Sequence, residues 1–155
     1  MRILFVCTGN TCRSPMCEGY FRSLCERSLR HDVIVESAGI MADGESFPSY
    51  ESVAVMKQLG IDISGCRSSR LTADKINSAD IIVTMTPEHR EKVGDIARSA
   101  LCKTFSLMDF SSDGPPCVAD PFGGGVADYE SCFRQMRPAL ENLFLDMDTV
   151  VKNLK

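Results

Sequence analysis

The chain has 155 residues, 44% of them hydrophobic and 25% charged, with a formal net charge of −4 and a pI near 5.2. That is the composition of one soluble globular domain, long enough to bury a real core. Its acidity argues against nucleic acid or an anionic membrane as a general partner, and no apolar run is long enough for a bilayer span or a secretory leader, so a monomeric, cytoplasmic protein is expected.

Ile3-Leu4-Phe5-Val6 reads as a buried strand, and Gly9 and Asn10 just beyond it tolerate the left-handed backbone of a tight loop. Ser14-Pro15 then predicts a helix start, with Ser14 as N-cap and Pro15 in the first helical position. A strand, a short loop and a helix N-terminus in succession make an anion site, because converging N–H groups and the helix dipole both favour negative charge. Cys7 and Arg13 sit at the two ends of this loop. A thiol placed over N–H groups and beside a guanidinium should ionise easily; such settings draw cysteine from about 8.5 to roughly 3.5–7.5. Arg13 can grip two phosphate oxygens at once, and the Ser14 hydroxyl can donate to the sulfur. These residue types in this order suit a nucleophile aimed at phosphorus.

Helix is expected from Ser14 to about Arg27, then strand at Val33-Ile34-Val35, ending at Ser37-Ala38-Gly39. Residues 41–48 read as loop, Tyr50 to Leu59 as an amphipathic helix closed by Gly60, and Thr72 to Asn77 as a short helix. Asp80 to Met85 is the clearest later strand. Thr86-Pro87 caps a helix to about Ser99, with His89 on its surface, and Leu101 to Phe105 is a fourth strand. Arg67 and Arg70 read as solvated charges. From Val126 one long helix carries an apolar stripe, with Pro138 expected to kink it. Strands alternating with helices predict a three-layer α/β domain over residues 1–155, a four-stranded parallel sheet flanked by helices, with the phosphate loop at the C-terminal end of its strand.

Eight cysteines (7, 12, 17, 25, 66, 102, 117, 132) form no Cys-x-x-Cys pair, and His31 and His89 lie near no cysteine cluster. Reduced, mostly buried thiols are expected, with no metal and no cofactor. Cleaving a phosphate ester or amide also needs a proton for the leaving group. Asp120, followed by Pro121 and three glycines, is the candidate acid. Asp109 and Asp113 compete less well, and Asp128 reads as a carboxylate in the first turn of the last helix.

The stretch Val6-Cys7-Thr8-Gly9-Asn10-Thr11-Cys12-Arg13-Ser14-Pro15 resembles the phosphate loop of the low-molecular-weight protein tyrosine phosphatases, and within them the bacterial protein arginine phosphatase branch. The likeness recurs at residues 36–39, 78–85 and 120–124. It implies catalytic Cys7, Arg13 and Asp120, and a substrate site made of Thr8, Gly9, Asn10, Thr11, Cys12, Ser14 and Phe122. It implies phosphorylated proteins as substrates and phosphate as product. It also implies that Ser37 holds Asn10. Relatives often have an aromatic wall on the 41–48 side; with no tryptophan here, that wall would have to be Phe47 or be absent. Cys66 stands where the family commonly has histidine, which removes one expected support of the loop. Tyrosine-directed members typically carry a bulky aliphatic at the position of Thr11, and the arginine-directed branch carries threonine. Phosphoarginine is therefore the expected substrate. Phosphotyrosine is the alternative, and thiol-dependent arsenate reduction or phosphate carriage without turnover are more distant ones. A reversible Cys7–Cys12 disulfide would shield the nucleophile from over-oxidation.

Overall fold

The computed structural model describes residues 1–154. Four strands, β1 (Arg2–Cys7), β2 (Ile34–Gly39), β3 (Ile81–Thr84) and β4 (Thr104–Ser106), form one parallel sheet in the order β2-β1-β3-β4. The helices are α1 (Arg13–Arg27), α2 (Tyr50–Gln58), α3 (Ala73–Ser78), α4 (Pro87–Ile96) and α5 (Val126–Leu154). No helix among the described residues is long and apolar enough to cross a membrane.

Both faces of the sheet are covered, which explains why its strands are unbroken apolar runs. Strand alternation sends Ile3, Phe5 and Cys7 toward the larger core, where Phe5 packs on Phe21 of α1 and Phe21 on Phe144 of α5. Leu4 and Val6 face the smaller core with Ile76, Ile82 and Val93. The sulfur of Cys7 thus emerges at the carboxyl end of a central strand, on the α1–α5 side.

Three boundaries differ from the sequence expectation. Helix α4 ends at Ile96, not near Ser99, and 98–103 is a 3-10 turn that leaves only Thr104–Ser106 for β4. Leu101 is the reason: its side chain lies over Gly94, where an added Cβ would come within 3.1 Å of it. The apolar residue that looked like strand is a plug on α4. Helix α1 begins at Arg13, with Cys12 in the cap position and no side-chain cap, so Ser14 is not the N-cap. Helices α2, α3 and α4 are capped by Ser49, Thr72 and Thr86. Helix α1 leaves its first N–H groups without that side-chain partner, as an anion site requires. Helix α5 runs continuously through Pro138.

Candidate active site

Cys7, Thr8, Gly9, Thr11, Cys12, Arg13, Asp120 and Phe122 line one cavity of about 220 Å³. The sequence-predicted residues Asn10 and Ser14 lie beneath it, 2% and 0% exposed, and hold the loop. Asn10 takes the left-handed conformation (φ 57°). Its amide nitrogen donates to Ser14 Oγ and to Ser37 Oγ, both at 2.8 Å, and its oxygen accepts from the N–H of Ser69 at 2.7 Å. Both N–H donors of this buried amide are thereby matched, and its oxygen has a partner. The Ser69 main chain supplies support on this side; Cys66 stands beside Glu18 and Arg22 instead.

Thr8, Gly9, Thr11 and Cys12 donate no N–H to any backbone carbonyl of the described residues. Those of Asn10 and Ser14 are near enough to the Cys7 sulfur to favour its anion. The loop is pressed against β2: a Cβ on Gly39 would sit 2.5 Å from the Thr8 carbonyl oxygen and 2.8 Å from the Asn10 nitrogen. No residue but glycine can occupy that place without moving the loop.

Cys7 Sγ lies 2.9 Å from Ser14 Oγ. Burial pushes this thiol above its ordinary value, opposed by the Ser14 hydroxyl, the N–H groups of Ser14 and Asn10, and the Arg13 guanidinium. The expectation of an easily ionised thiol is corrected to that extent. The donors are where the loop pattern puts them, but desolvation is the larger influence in the resting site.

Arg13 is 4% exposed and reaches the loop before α5 at two points. Nη1 donates to the Val118 carbonyl at 3.2 Å, and Nη2 lies 3.2 Å from Asp120 Oδ2. Val118 in turn donates its N–H to the Met85 carbonyl at the end of β3. Asp120 Oδ1 accepts from the Phe122 N–H, and Gly123 turns the chain with φ 83°. Asp128 accepts from Gly125 N–H and anchors the far end of the loop. Asp109 is occupied as a cap of the 107–110 turn, and Asp113 bonds Ser112.

His89 is not a surface histidine. It is 4% exposed, with Nε2 2.9 Å from Thr8 Oγ1, while Nδ1 has no partner among the described residues. Burial, then the Arg13 charge, lower its pKa to about 4, against the opposing pull of Glu88 and Asp120. It is therefore neutral in the fold near neutrality, while the unfolded chain takes up its proton at about 6.5. Stability is then full above that value and declines as pH falls toward 4, by about 3 kcal/mol. His89→Gln, which retains a polar group able to face Thr8, should flatten this acid limb in urea titrations run from pH 7 to pH 4.

Phe47 does not line the cavity; it is 52% exposed and carries the Arg67 guanidinium 3.5 Å above its ring. Arg67 is thus a stacked cation, not a free surface charge, and the aromatic at the mouth is Phe122. Cys7 and Cys12 are both free thiols, with Cys12 Sγ 3.1 Å from Tyr129 Oη.

A doubly covered parallel sheet that ends in a thiol, a guanidinium and a loop of unengaged N–H groups defines a cysteine-dependent phosphatase. Comparison with known proteins narrows the class. Residues 2–155 match the family model described as low molecular weight phosphotyrosine protein phosphatase, and the chain belongs to that family. The protein-arginine-phosphatase of Geobacillus stearothermophilus is 36% identical over 148 residues, covering 96% of this chain and 97% of that protein. That of Bacillus subtilis is 35% identical over 152 residues, covering 98% and 97%. A solved structure of the YwlE arginine phosphatase, a cysteine-to-serine mutant with a phosphorylated active-site serine, superposes with TM-score 0.90 at 32% identity, covering all of both chains.

Proposed function

We propose that the protein hydrolyses phosphoarginine in proteins, through a phosphocysteine on Cys7. In the first step the thiolate attacks phosphorus, the S–P bond forms and the P–N bond breaks. The electron pair passes to the leaving guanidine nitrogen, which takes a proton from Asp120. Arg13 and the loop N–H groups hold the equatorial oxygens through the transition state. In the second step Asp120, now a carboxylate, takes a proton from water as that water attacks phosphorus. The S–P bond breaks, and phosphate leaves. Charge is balanced throughout by fixed donors, so the scheme calls for no metal or cofactor.

The observation that carries the substrate assignment is Thr11 in the cavity wall. A hydroxyl there can orient a planar polar guanidine, whereas a larger aliphatic would repel it and fit a phenyl ring instead. Phe122, 79% exposed at the cavity edge, can cover the stem of the bound side chain. The relatives named protein-arginine-phosphatases support the same reading, and the family's phosphotyrosine description makes phosphotyrosine the competing one. Arsenate reduction would need resolving thiols in series with Cys7. Of the thiols near it, Cys12 lies against Tyr129 Oη, Cys17 faces Met136 and Met85, and Cys132 donates to the Ala119 carbonyl.

The test is turnover of phosphoarginine and phosphotyrosine peptides of one sequence, side by side. Phosphoarginine should be hydrolysed with the higher kcat/KM; faster phosphotyrosine turnover would reverse the assignment. Thr11→Ile should lower kcat/KM for phosphoarginine by about 10- to 200-fold, the range for one mismatched group in a pocket, and raise it for phosphotyrosine.

A further inference from the structure

Beyond the loop itself, the hydrogen bonds run on in one direction to a carboxylate on α1. Ser37 Oγ is 2.5 Å from Glu18 Oε2. A carboxylate only accepts, so the Ser37 proton points at Glu18 and its lone pairs face Asn10. Asn10 presents its amide nitrogen there, because its oxygen is taken by the Ser69 N–H. The same nitrogen donates its second hydrogen to Ser14 Oγ. Ser14 therefore accepts from Asn10 and has its one proton left for the Cys7 sulfur, 2.9 Å away. Every member is at least four-fifths buried: Glu18 is 15% exposed, Ser37 8%, Asn10 2% and Ser14 0%. Water has little access from which to reverse the order.

We infer that Glu18 is a positioning residue for the nucleophile: by polarising the Ser37–Asn10–Ser14 chain it keeps the Ser14 hydroxyl donating to the Cys7 thiolate. The role is indirect, since Glu18 is not among the residues that line the cavity and reaches the sulfur only through Ser37, Asn10 and Ser14. It rests on the assignment of Cys7 as nucleophile only for its bearing on turnover. The orientation of the chain is a property of the resting protein.

The sign of the effect separates this role from simpler ones. A negative charge acting through space raises a thiol's pKa, so removing it would make the thiolate easier to form. Removing the acceptor that orders the chain frees the Ser37 proton to compete for Asn10, and the Ser14 donor is held less well. The thiolate then becomes harder to form. The other charged or titratable groups around the sulfur are Cys12 in the cap position of α1, Arg13 and Cys17 on α1, Cys132 on α5, and Asp120 opposite Arg13. Those around Glu18 are Arg22, its ion-pair partner, and Cys66.

The experiment is the pH dependence of iodoacetate alkylation at Cys7, read by mass spectrometry, in the wild type, Glu18→Ala and Glu18→Gln. The alkylation midpoint should rise by about half to one pH unit in Glu18→Ala, as expected for partial loss of one hydrogen bond to an ionised group. Glu18→Gln retains an acceptor for Ser37 and should return most of the shift. An unchanged or lowered midpoint in Glu18→Ala overturns the inference. Should Glu18→Ala fail to fold, Ser37→Ala cuts the same link and must raise the midpoint likewise; an unchanged value there overturns it too. Alkylation needs no substrate, so a protein that shows the shift but turns over no phosphoarginine would refute the proposed function and leave the role of Glu18 standing.

Discussion

Cys7→Ser should reduce turnover of phosphoarginine peptides by at least about 10⁴-fold, with the fold intact. The geometry explains why so small a change should be so costly. Serine keeps the Ser14 contact and the cavity shape, but its hydroxyl is scarcely ionised near neutrality and attacks phosphorus slowly. What it does attack it does not release. An alkoxide is a far poorer leaving group than a thiolate, so hydrolysis of the intermediate stalls. The variant should accumulate one covalent phosphoryl group, visible as a single mass increment on the peptide carrying residue 7. The cysteine-to-serine structure of the YwlE arginine phosphatase, with its phosphorylated active-site serine, is a direct precedent in a relative. Normal turnover in Cys7→Ser would end the assignment of this residue.

Asp120→Asn should lower kcat by about 10²- to 10⁴-fold on phosphoarginine, the usual loss of a general acid–base group. Asparagine preserves size and can still accept from the Phe122 N–H, but it has no proton to give and removes the ion pair with Arg13. Proton delivery matters most when the leaving atom is basic. The defect should therefore be severe for a guanidine nitrogen, smaller for tyrosine oxygen and smallest for nitrophenolate, which departs without help. A stopped-flow series over these three leaving groups checks the order. Equal losses on all three would mean that residue 120 positions the substrate or Arg13 and is not the proton donor.

How much of this was legible before any coordinates depends on how far apart the participating residues lie in the chain. The phosphate loop is contiguous, so its residue types and order revealed the strand, the tight turn and the helix start together. The strand order follows from βαβ connectivity with little freedom. His89 is different. Its burial arises because β3 lies beside β1, which sets the start of α4 against Thr8. The one local clue was the Thr86-Pro87 cap, which fixes His89 in the first turn at the strand ends. The link from Ser37 to Glu18 joins two elements 19 residues apart, and neither residue announces it. Ser14 misled because a Ser-Pro pair at a helix start usually caps; here the hydroxyl is turned inward to the sulfur and the cap lies two residues earlier, at Cys12. For the wall on the 41–48 side the sequence leaves Phe47 or no aromatic; the second holds, because Arg67 stacks on the Phe47 ring away from the cavity.

The contact at Gly39 bears on how such an enzyme can change over time. The bowl is shaped by main chain resting on main chain, with a gap too narrow for even a methyl group. Side chains that neither bond the loop, as those of Asn10, Ser14 and Ser37 do, nor line the cavity can drift without altering its curvature, and under the proposed function novelty in substrate choice falls to rim side chains such as Thr11 and Phe122. The same economy leaves one site with no latitude: a single methyl at position 39 would push directly on the turn between Thr8 and Asn10.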